Sequence, residues 1–297
     1  MKPYIFYGAG KNMYHFIAKP LKGKKAKLYD QIETVLKERK IEYELHLTTR
    51  KGEARELAGT YSKEAGNVIV VIGGDGTLND VLHGIHPENA PLGLIPAGTG
   101  NDFADSANIP HGLPALELIL NSQPKITNYI AFSDGRKSLN IAGLGIDVDI
   151  LERCEKMKHF HAKSKYFLSL LKSLFSYRGC KIKVKYNGEE VEGNMLLAAI
   201  CNGKQFGGGI PICPPAEIDD GLLDLVFVDC PSRLKIPAAL IKLMRGKVLS
   251  LPFAHYARCE EAEFIPATPF TAQYDGELYH AESFSAKVMT DLRLFRG

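Results

Sequence analysis

The sequence has few of the features that would place a protein in a membrane or outside the cell. It contains no apolar run of the ~20 residues that a membrane-spanning helix needs. The N-terminus, MKPYIFYGAG, lacks the basic start and the long apolar stretch of a signal peptide. The six cysteines include no C-x-x-C pair, which favours reduced thiols over a disulfide framework or a zinc knuckle. We therefore expect a cytoplasmic protein that meets any membrane peripherally.

Neither the net charge nor the spacing of the histidines indicates a particular ligand. The formal net charge is +3, which gives no reason to expect a nucleic acid or another polyanion as a partner. The histidines show no spacing that predicts a metal site; the positions considered are His15, His83, His159, His161 and His255.

The composition that is present fits a globular protein with one large or two modest cores. The chain has 297 residues, of which 45% are hydrophobic and 24% are charged. Strand signals begin to dominate after Pro124. We therefore predict two domains, 1–124 and 125–297.

The first domain alternates strand-like and helix-like segments. Apolar patterning predicts strands at Pro3–Tyr7, Ile41–Leu47, Val68–Ile72 and Leu92–Ile95, and helices at Lys24–Lys40, Glu53–Lys63 and Thr77–Gly84. This order predicts a doubly wound α/β domain with a mostly parallel sheet. Ligands of such sheets bind at the carboxyl ends of the strands, where the turns Gly73–Gly76 and Gly98–Gly100 are expected.

The second domain reads as mainly antiparallel and sandwich-like. Strands are predicted at Ile126–Phe132, Ser138–Ala142, Lys181–Tyr186, Met195–Cys201, Leu222–Val228, Glu263–Phe264, Phe270–Tyr274 and Ala286–Leu294. Asn187-Gly188 is a hairpin signal between two of these runs. A helical insert at residues 159–179 interrupts the strands.

The segment VIVVIGGDGTLNDV, residues 68–81, carries the first chemical signal. Its glycines let backbone N–H groups turn inward, and Thr77 can cap a helix whose N-terminus favours anions. A tight strand-to-helix turn explains the pattern equally well. Asp75 would repel a phosphate unless a Mg²⁺ ion lies between the two.

The segment PLGLIPAGTGNDFA, residues 91–104, repeats this arrangement. A buried strand is followed by a glycine turn with a threonine, and then by Asn101 and Asp102 at the start of a helix. Two strand ends that each carry glycine, threonine and aspartate are harder to explain as tight turns alone than one such end would be.

These segments resemble the catalytic domain of the diacylglycerol kinase and sphingosine kinase superfamily, closest to the soluble bacterial lipid kinases. The resemblance continues through NIAGLG (140–145), NGKQFGGGIPICPPAEIDDGLLDLVFV (202–228) and YDGE (274–277), in order along nearly the whole chain. It implies ATP-dependent phosphorylation of a lipid hydroxyl, with the nucleotide in the cleft between the two domains.

The resemblance also implies roles for individual residues. The residues that would surround the ATP phosphates are Gly73, Gly74, Asp75, Gly76 and Thr77, and the further nucleotide contacts are Thr48 and Thr99. Asp75 and Asp102 would organise catalytic Mg²⁺. Glu277 would be the general base, with Asp275 as the second candidate. Phosphoryl transfer needs mainly alignment and charge neutralisation, and a base helps because an alcohol is a poor nucleophile.

The acidic stretch EIDDG, residues 217–221, has two interpretations. The residues alone favour a hydrated acidic turn. The resemblance instead implies a structural Mg²⁺ held by Glu217 through its carbonyl, by the Asp220 carboxylate and by the Leu222 carbonyl. Such oxygen donors suit a hard cation.

The start of the chain departs from the family pattern N-P-x-x-G-K. We align this pattern with Phe6–Lys11, where the asparagine and proline are missing. Gly10 and Lys11 are expected to contribute to the phosphate cradle, whose shape is then altered.

The basic helical insert has a structural and a functional interpretation. Its apolar stripe, Phe160, Tyr166, Phe167, Leu170, Leu171, Leu174 and Phe175, would pack on the second domain or rest on anionic lipid. We favour the structural interpretation, in which the stripe packs on the second domain. The lysines could still help the protein to dock on anionic lipid.

Alternative functions stay open at this point. One is a GGDGT-type kinase of NAD or of a sugar phosphate, and another is a non-catalytic nucleotide-binding regulator. The sequence also leaves open which lipid is phosphorylated, among diacylglycerol, a sphingoid base, phosphatidylglycerol and an isoprenoid-like alcohol, and whether the chain forms a homodimer.

Overall fold

A computed structural model describes residues 12–20, 23–157, 162–281 and 284–297. The strands are β1 (Met13–Ala18), β2 (Tyr43–Leu47), β3 (Asn67–Gly73), β4 (Leu92–Pro96), β5 (Lys125–Phe132), β6 (Lys137–Ser138), β7 (Ile141–Gly145), β8 (Cys180–Tyr186), β9 (Glu189–Cys201), β10 (Leu223–Asp229), β11 (Ala254–Cys259), β12 (Glu261–Pro266), β13 (Phe270–Tyr274), β14 (Glu277–Ala281) and β15 (Phe284–Leu294). The helices are α1 (Lys27–Glu38), α2 (Glu53–Tyr61), α3 (Asp75–Leu82), α4 (Asp102–Ser106), α5 (Leu113–Asn121), α6 (Ile146–Lys156), α7 (Ala162–Ser176) and α8 (Ile236–Met244).

The chain divides into two compact units. Of the described residues, those up to Ala97 form the first unit together with Asn108–Ile126 and Asp291–Gly297, and the second unit consists of Gly98–Ala107 and Thr127–Thr290. These units differ from the ranges 1–124 and 125–297 in three places. Gly98–Ala107 belongs to the second unit, whereas Lys125 and Ile126 and the C-terminal residues from Asp291 belong to the first.

The first unit is built on a parallel sheet in the order β4-β3-β1-β2. Strand β3 is buried along its whole length, as its uninterrupted apolar run predicts. Helix α1 packs against α5, and α2 packs against α3. Because β2 and β3 lie on opposite sides of β1, the direction of strand addition reverses there. This reversal creates a switch point at the carboxyl ends of β1 and β3.

The first described strand of the sheet, β1, was not predicted from the sequence. The predicted strand Pro3–Tyr7 lies outside the described residues, and the described strand next to β2 and β3 is Met13–Ala18. Its residues Phe16, Ile17 and Ala18 are fully buried. The run MYHFIA is apolar enough for a buried strand, and this signal was missed.

The second unit consists mainly of antiparallel strands. The N-terminal half of β9 pairs with β8, and its C-terminal half pairs with β7 and β10. Asn187 and Gly188 have φ angles of 49° and 77° and form the predicted turn between β8 and β9. The sequence analysis missed β11, β14, α6 and α8.

Apolar residues alternate between two cores of the second unit. On β10, Leu225 and Phe227 enter the core between the strands, whereas Val226 and Val228 enter the core beneath the helices. The second core also contains part of the α7 stripe, including Leu170 and Leu174. The structural interpretation of the helical insert therefore holds for these residues, whereas Phe167 and Phe175 are exposed and Phe160 lies outside the described residues.

None of the helices in the described ranges combines the length and apolar character that crossing a bilayer requires.

Candidate active site

The carboxyl ends of β2, β1, β3 and β4 meet at one edge of the first unit. The Thr48 N–H, just beyond β2, donates to the Ala18 carbonyl at 2.8 Å, and the Ala97 N–H, just beyond β4, donates to the Gly73 carbonyl at 2.8 Å. Thr48 is buried, and its hydroxyl also donates to the Ala18 carbonyl at 3.1 Å. The predicted phosphate turn and Thr48 therefore share the edge where ligands of parallel sheets bind.

The Gly73–Thr77 turn joins β3 directly to α3. The helix begins at Asp75 with Gly74 as its N-cap residue, so Thr77 does not cap it as we expected. Thr77 is buried instead, and a Cβ atom on Gly73 would lie only 2.9 Å from the Thr77 Cβ. Asp75 is half-buried in the first turn of α3, where backbone N–H groups and the helix dipole favour anions.

The segment after β1 changes the interpretation of the first glycine loop. Gly10 and Lys11, the predicted phosphate ligands, lie outside the described residues. Strand β1 is followed by KPLKGK, residues 19–24, which fits the pattern N-P-x-x-G-K with Lys19 in place of asparagine. Because Ala18 lies opposite Ile72 in the sheet, Lys19 and Pro20 leave β1 beside the turn that follows β3. In this second alignment the glycine and lysine of the pattern are Gly23 and Lys24.

The second glycine turn is held within the second unit. Asn101 adopts a left-handed conformation with φ of 61°, and its side-chain carbonyl accepts the Gly98 N–H at 3.0 Å. This turn leaves Thr99 exposed and places Asp102, which is buried, at the start of α4.

The Asp102 carboxylate joins the GTGND segment to the glycine-rich loop at 205–209. Its Oδ2 atom accepts the Gly208 N–H at 2.8 Å, and its Oδ1 atom lies 3.3 Å from the Gln205 amide nitrogen. The same amide donates to Asp105 at 3.0 Å. No role for Gln205 or Gly208 was predicted from the sequence.

The two candidate bases of the YDGE segment have different environments. The Asp275 carboxylate accepts the backbone N–H groups of Leu139, Asn140 and Ile141 at 2.8–3.1 Å, and also the Ser138 hydroxyl. These four donors fix the start of β7, which gives Asp275 a structural task.

Glu277 is oriented by a neighbouring aromatic side chain. Its Oε2 atom accepts the Tyr279 hydroxyl at 2.7 Å, and Glu277 itself is half-buried. The Arg136 guanidinium lies 4.2 Å above the Tyr279 ring and holds it in place. The geometry therefore favours Glu277 over Asp275 as a group that can exchange a proton.

Part of the expected donor set converges in the acidic turn. The Asn128 side-chain amide approaches both Asp220 Oδ1, at 3.3 Å, and the Leu222 carbonyl, at 3.5 Å. These two oxygens fit a hard cation. The Arg258 guanidinium also contacts the Asp220 carboxylate, so a positive group already neutralises one of its oxygens. Glu217 is exposed.

An apolar pocket lies beneath two helices of the second unit. Leu170 and Leu174 of α7 line it together with Leu240 and Leu243 of α8. Its one acidic lining residue is Asp147, whose Oδ2 atom is buried and has no hydrogen-bond partner among the described residues. Burial raises the pKa of Asp147 to about 7, although the Val148 N–H and the Gln273 amide oppose this shift. The sequence analysis missed this carboxyl group.

Comparison with known proteins places this architecture in a family. Residues 14–130 match the family model described as the diacylglycerol kinase catalytic domain, and residues 140–293 match the YegS C-terminal NAD kinase beta sandwich-like domain. A relative from Xanthomonas oryzae pv. oryzae named "Probable lipid kinase YegS-like" is 33% identical over 86% of this chain and 88% of its own length. The chain belongs to the YegS-like lipid kinase family. As a kinase of this family, it uses ATP and a lipid acceptor.

Two further likenesses extend over most of this lipid kinase. A Bacillus subtilis protein named diacylglycerol kinase is 27% identical over 78% of each chain. A crystal structure of a diacylglycerol kinase from Bacillus anthracis str. Sterne superposes with a TM-score of 0.74 at 18% identity, covering 97% of each chain. This structural likeness supports the fold: an α/β unit with parallel strands and an antiparallel unit. The family match begins at residue 14, after Gly10 and Lys11.

Proposed function

We propose that this lipid kinase transfers the γ-phosphoryl group of ATP to the hydroxyl of diacylglycerol or a closely related lipid. The observation that carries the proposal is the GGDGT turn at the sheet's switch point, at the N-terminus of α3. The relative from Bacillus subtilis that is named diacylglycerol kinase supports the choice of lipid.

In this proposal the first unit binds the ATP phosphates. Backbone N–H groups of Gly73–Thr77 face the phosphates, Gly23 and Lys24 add a second contact, and Thr48 lines the nucleotide site. Thr99, which belongs to the second unit, is a further proposed nucleotide contact. A bound Mg²⁺ would neutralise phosphate charge and so make the carboxylate of Asp75 compatible with ATP. Asp102 already accepts two hydrogen bonds, so we assign it a water-mediated contact with the metal.

Glu277 is the proposed general base. The lipid hydroxyl gives its proton to the Glu277 carboxylate as the oxygen attacks the γ-phosphorus, and the bond from this phosphorus to the bridging oxygen breaks so that ADP leaves. The Tyr279 hydroxyl keeps the carboxylate in one orientation. Asp275 holds the strand beside it through its four hydrogen bonds. Asp220 and Leu222 would hold a structural Mg²⁺, with Glu217 completing the set.

The apolar pocket of the second unit is the proposed site of the lipid chain. Aliphatic side chains of α7 and α8 would contact the chain, and the Asp147 carboxyl could bond a polar group of the lipid. On the same two helices, Phe167, Phe175 and Ile241 are exposed. We therefore propose that α7 and α8 contact the membrane surface from which the lipid enters.

Transfer of radiolabel from γ-labelled ATP tests the function. We expect label in an organic extract when diacylglycerol is offered in mixed micelles, and less label with a sphingoid base. Label on NAD or on a sugar phosphate would favour another GGDGT-type kinase. No transfer to any acceptor, despite ATP binding, would favour a non-catalytic regulator.

A further inference from the structure

The first unit contains a cluster of metal-binding side chains that the kinase reaction does not use. His15 lies in the middle of β1, and Glu44 and His46 lie on the neighbouring strand β2. In the parallel pairing of these strands, His15 stands opposite Glu44, and His46 follows two residues later on the same face. Among the described residues, this is the one group of at least three histidine, cysteine or acidic side chains whose ligand atoms all lie within 4.8 Å of one another.

The three ligand atoms form a nearly equilateral triangle. His15 Nδ1 lies 3.4 Å from His46 Nε2 and 3.4 Å from Glu44 Oε2, and His46 Nε2 lies 3.3 Å from Glu44 Oε2. In a tetrahedral zinc site, metal–ligand bonds of about 2.1 Å place the ligand atoms about 3.4 Å apart. The triangle therefore has the dimensions of one face of a zinc tetrahedron.

A network of hydrogen bonds explains the triangle less well. Good N–H···O bonds have donor–acceptor distances of about 2.7–3.2 Å. All three separations exceed this range, and a neutral imidazole has one N–H to donate. A cation at the centre would satisfy all three atoms at once.

The surroundings hold both rings in orientations suited to ligation. The Tyr61 ring stacks on His15 with centroids 4.0 Å apart and on His46 with centroids 4.6 Å apart. The side chain of His15 is 5% exposed, whereas that of Glu44 is 49% exposed. A metal ion can therefore enter from the side of Glu44.

We propose that His15, Glu44 and His46 bind one divalent transition-metal ion, with Zn²⁺ preferred, and that water occupies the fourth position. Two imidazoles and one carboxylate suit zinc better than magnesium, which prefers oxygen ligands. The ion would tie the edge strand β2 to β1 close to Thr48, and its binding would stabilise the first unit.

Metal titration of the untagged full chain tests the site. After treatment with a chelator, the protein is titrated with Zn²⁺ or Co²⁺ in the presence of millimolar Mg²⁺, which saturates oxygen-ligand sites. We expect one Zn²⁺ per chain, a higher melting temperature, and the intense visible absorption of tetrahedral Co²⁺. Glu44→Gln and His46→Gln should each weaken Zn²⁺ affinity about tenfold or more, while retaining the wild-type melting temperature without metal.

The matched control is a histidine–carboxylate pair on the surface outside the triangle. His86 Nδ1 and Glu88 Oε1 lie 3.5 Å apart, and His86→Gln should leave Zn²⁺ binding unchanged. The proposal is wrong if the wild type takes up no Zn²⁺, or if Glu44→Gln and His46→Gln bind it as the wild type does. Because Glu44 is half-exposed, its substitution tests the site even if changes at His15 impair folding.

Discussion

The carboxylate of Asp102 accepts the backbone N–H of Gly208 at 2.8 Å, across 106 positions of the chain. The GTGND turn and the glycine-rich loop at 205–209, which stood as separate motifs in the sequence, are therefore joined within one unit. Asp102 has both a structural partner and a proposed role toward Mg²⁺, and substitution can separate the two.

Asp102→Asn should preserve the fold and reduce kcat by about 100-fold or more. The amide keeps an oxygen for the Gly208 N–H but loses the charge proposed to act on the metal through water. Asp105→Asn is the matched control, because Asp105 accepts the same Gln205 amide at 3.0 Å. Steady-state kinetics at several Mg²⁺ concentrations compare the two variants. Equal kcat values for both would remove Asp102 from the reaction.

Glu277→Gln and Asp275→Asn should affect different properties. Glu277→Gln should reduce kcat by roughly 10²–10⁴-fold, with little change in the melting temperature. Asp275→Asn should lower the free energy of unfolding by about 2 kcal/mol or more, because one of its oxygens becomes a donor that faces backbone N–H groups. Denaturant unfolding and kcat are measured on both variants. A stable but inactive Asp275→Asn would make Asp275 the better candidate base.

Lys24→Ala should raise the KM for ATP, whereas Lys11→Ala should leave it near the wild-type value. Lys19 and Pro20 follow β1 at the switch point, the pattern N-P-x-x-G-K continues from them to Lys24 in the sequence, and the family match begins after Lys11. Loss of a cation near the phosphates weakens nucleotide binding before it affects chemistry. The opposite result would restore the assignment to Gly10 and Lys11.

Asp147 should make stability depend on pH. Its pKa is about 7 in the folded protein, whereas the ordinary pKa of an aspartate is 3.8, so the folded state binds more protons between these values. The free energy of unfolding should therefore fall by roughly 2–4 kcal/mol as the pH rises from 4 to 7. Asp147→Asn should remove this contribution and be the more stable protein at pH 8.

Asp149 on the same helix provides the control for this pH dependence. Burial acts to raise its pKa, but the hydrogen bond from the Arg153 guanidinium helps to lower it below the usual value. Its contribution to stability is therefore present above the unfolded pKa and lost as the pH falls through the folded pKa, which is the opposite direction. Thermal unfolding from pH 3 to 8 compares Asp147→Asn and Asp149→Asn with the wild type. If the melting temperatures of Asp147→Asn and the wild type changed with pH in parallel, the Asp147 carboxyl of the folded protein would be ionised throughout this pH range.

The double variant Phe167→Ser/Phe175→Ser should bind anionic vesicles less well. These side chains are 44% and 53% exposed on α7, while Leu170 and Leu174 of the same helix are buried in the core. Removal of exposed aromatic groups reduces the apolar area that can enter the lipid headgroup region. Sedimentation with vesicles is compared with Ile126→Ser, which removes an equally exposed apolar side chain from the first unit. Unchanged sedimentation of the double variant would exclude this docking face.

The sequence alone predicted the features that depend on neighbouring residues. The apolar run Val68–Ile72 followed by GGDGT indicated a buried strand, a turn and a helix, and the structure contains these elements at this place. Asn187-Gly188 indicated a hairpin. Such patterns are local because glycine conformations and apolar periods act over a few residues, and the motifs in order along the chain were enough to predict the family.

The tertiary structure decided which side chains meet. His15 showed no metal-ligand spacing in the sequence, because its partners Glu44 and His46 are brought to it only by the register of β1 and β2. Asp275 and Glu277 lie two residues apart but have different surroundings. Asp275 accepts four hydrogen bonds from residues 138–141, whereas Glu277 accepts the hydroxyl of Tyr279. The chemistry of a carboxylate or an imidazole depends on its partners in space, and long-range strand pairing determines those partners.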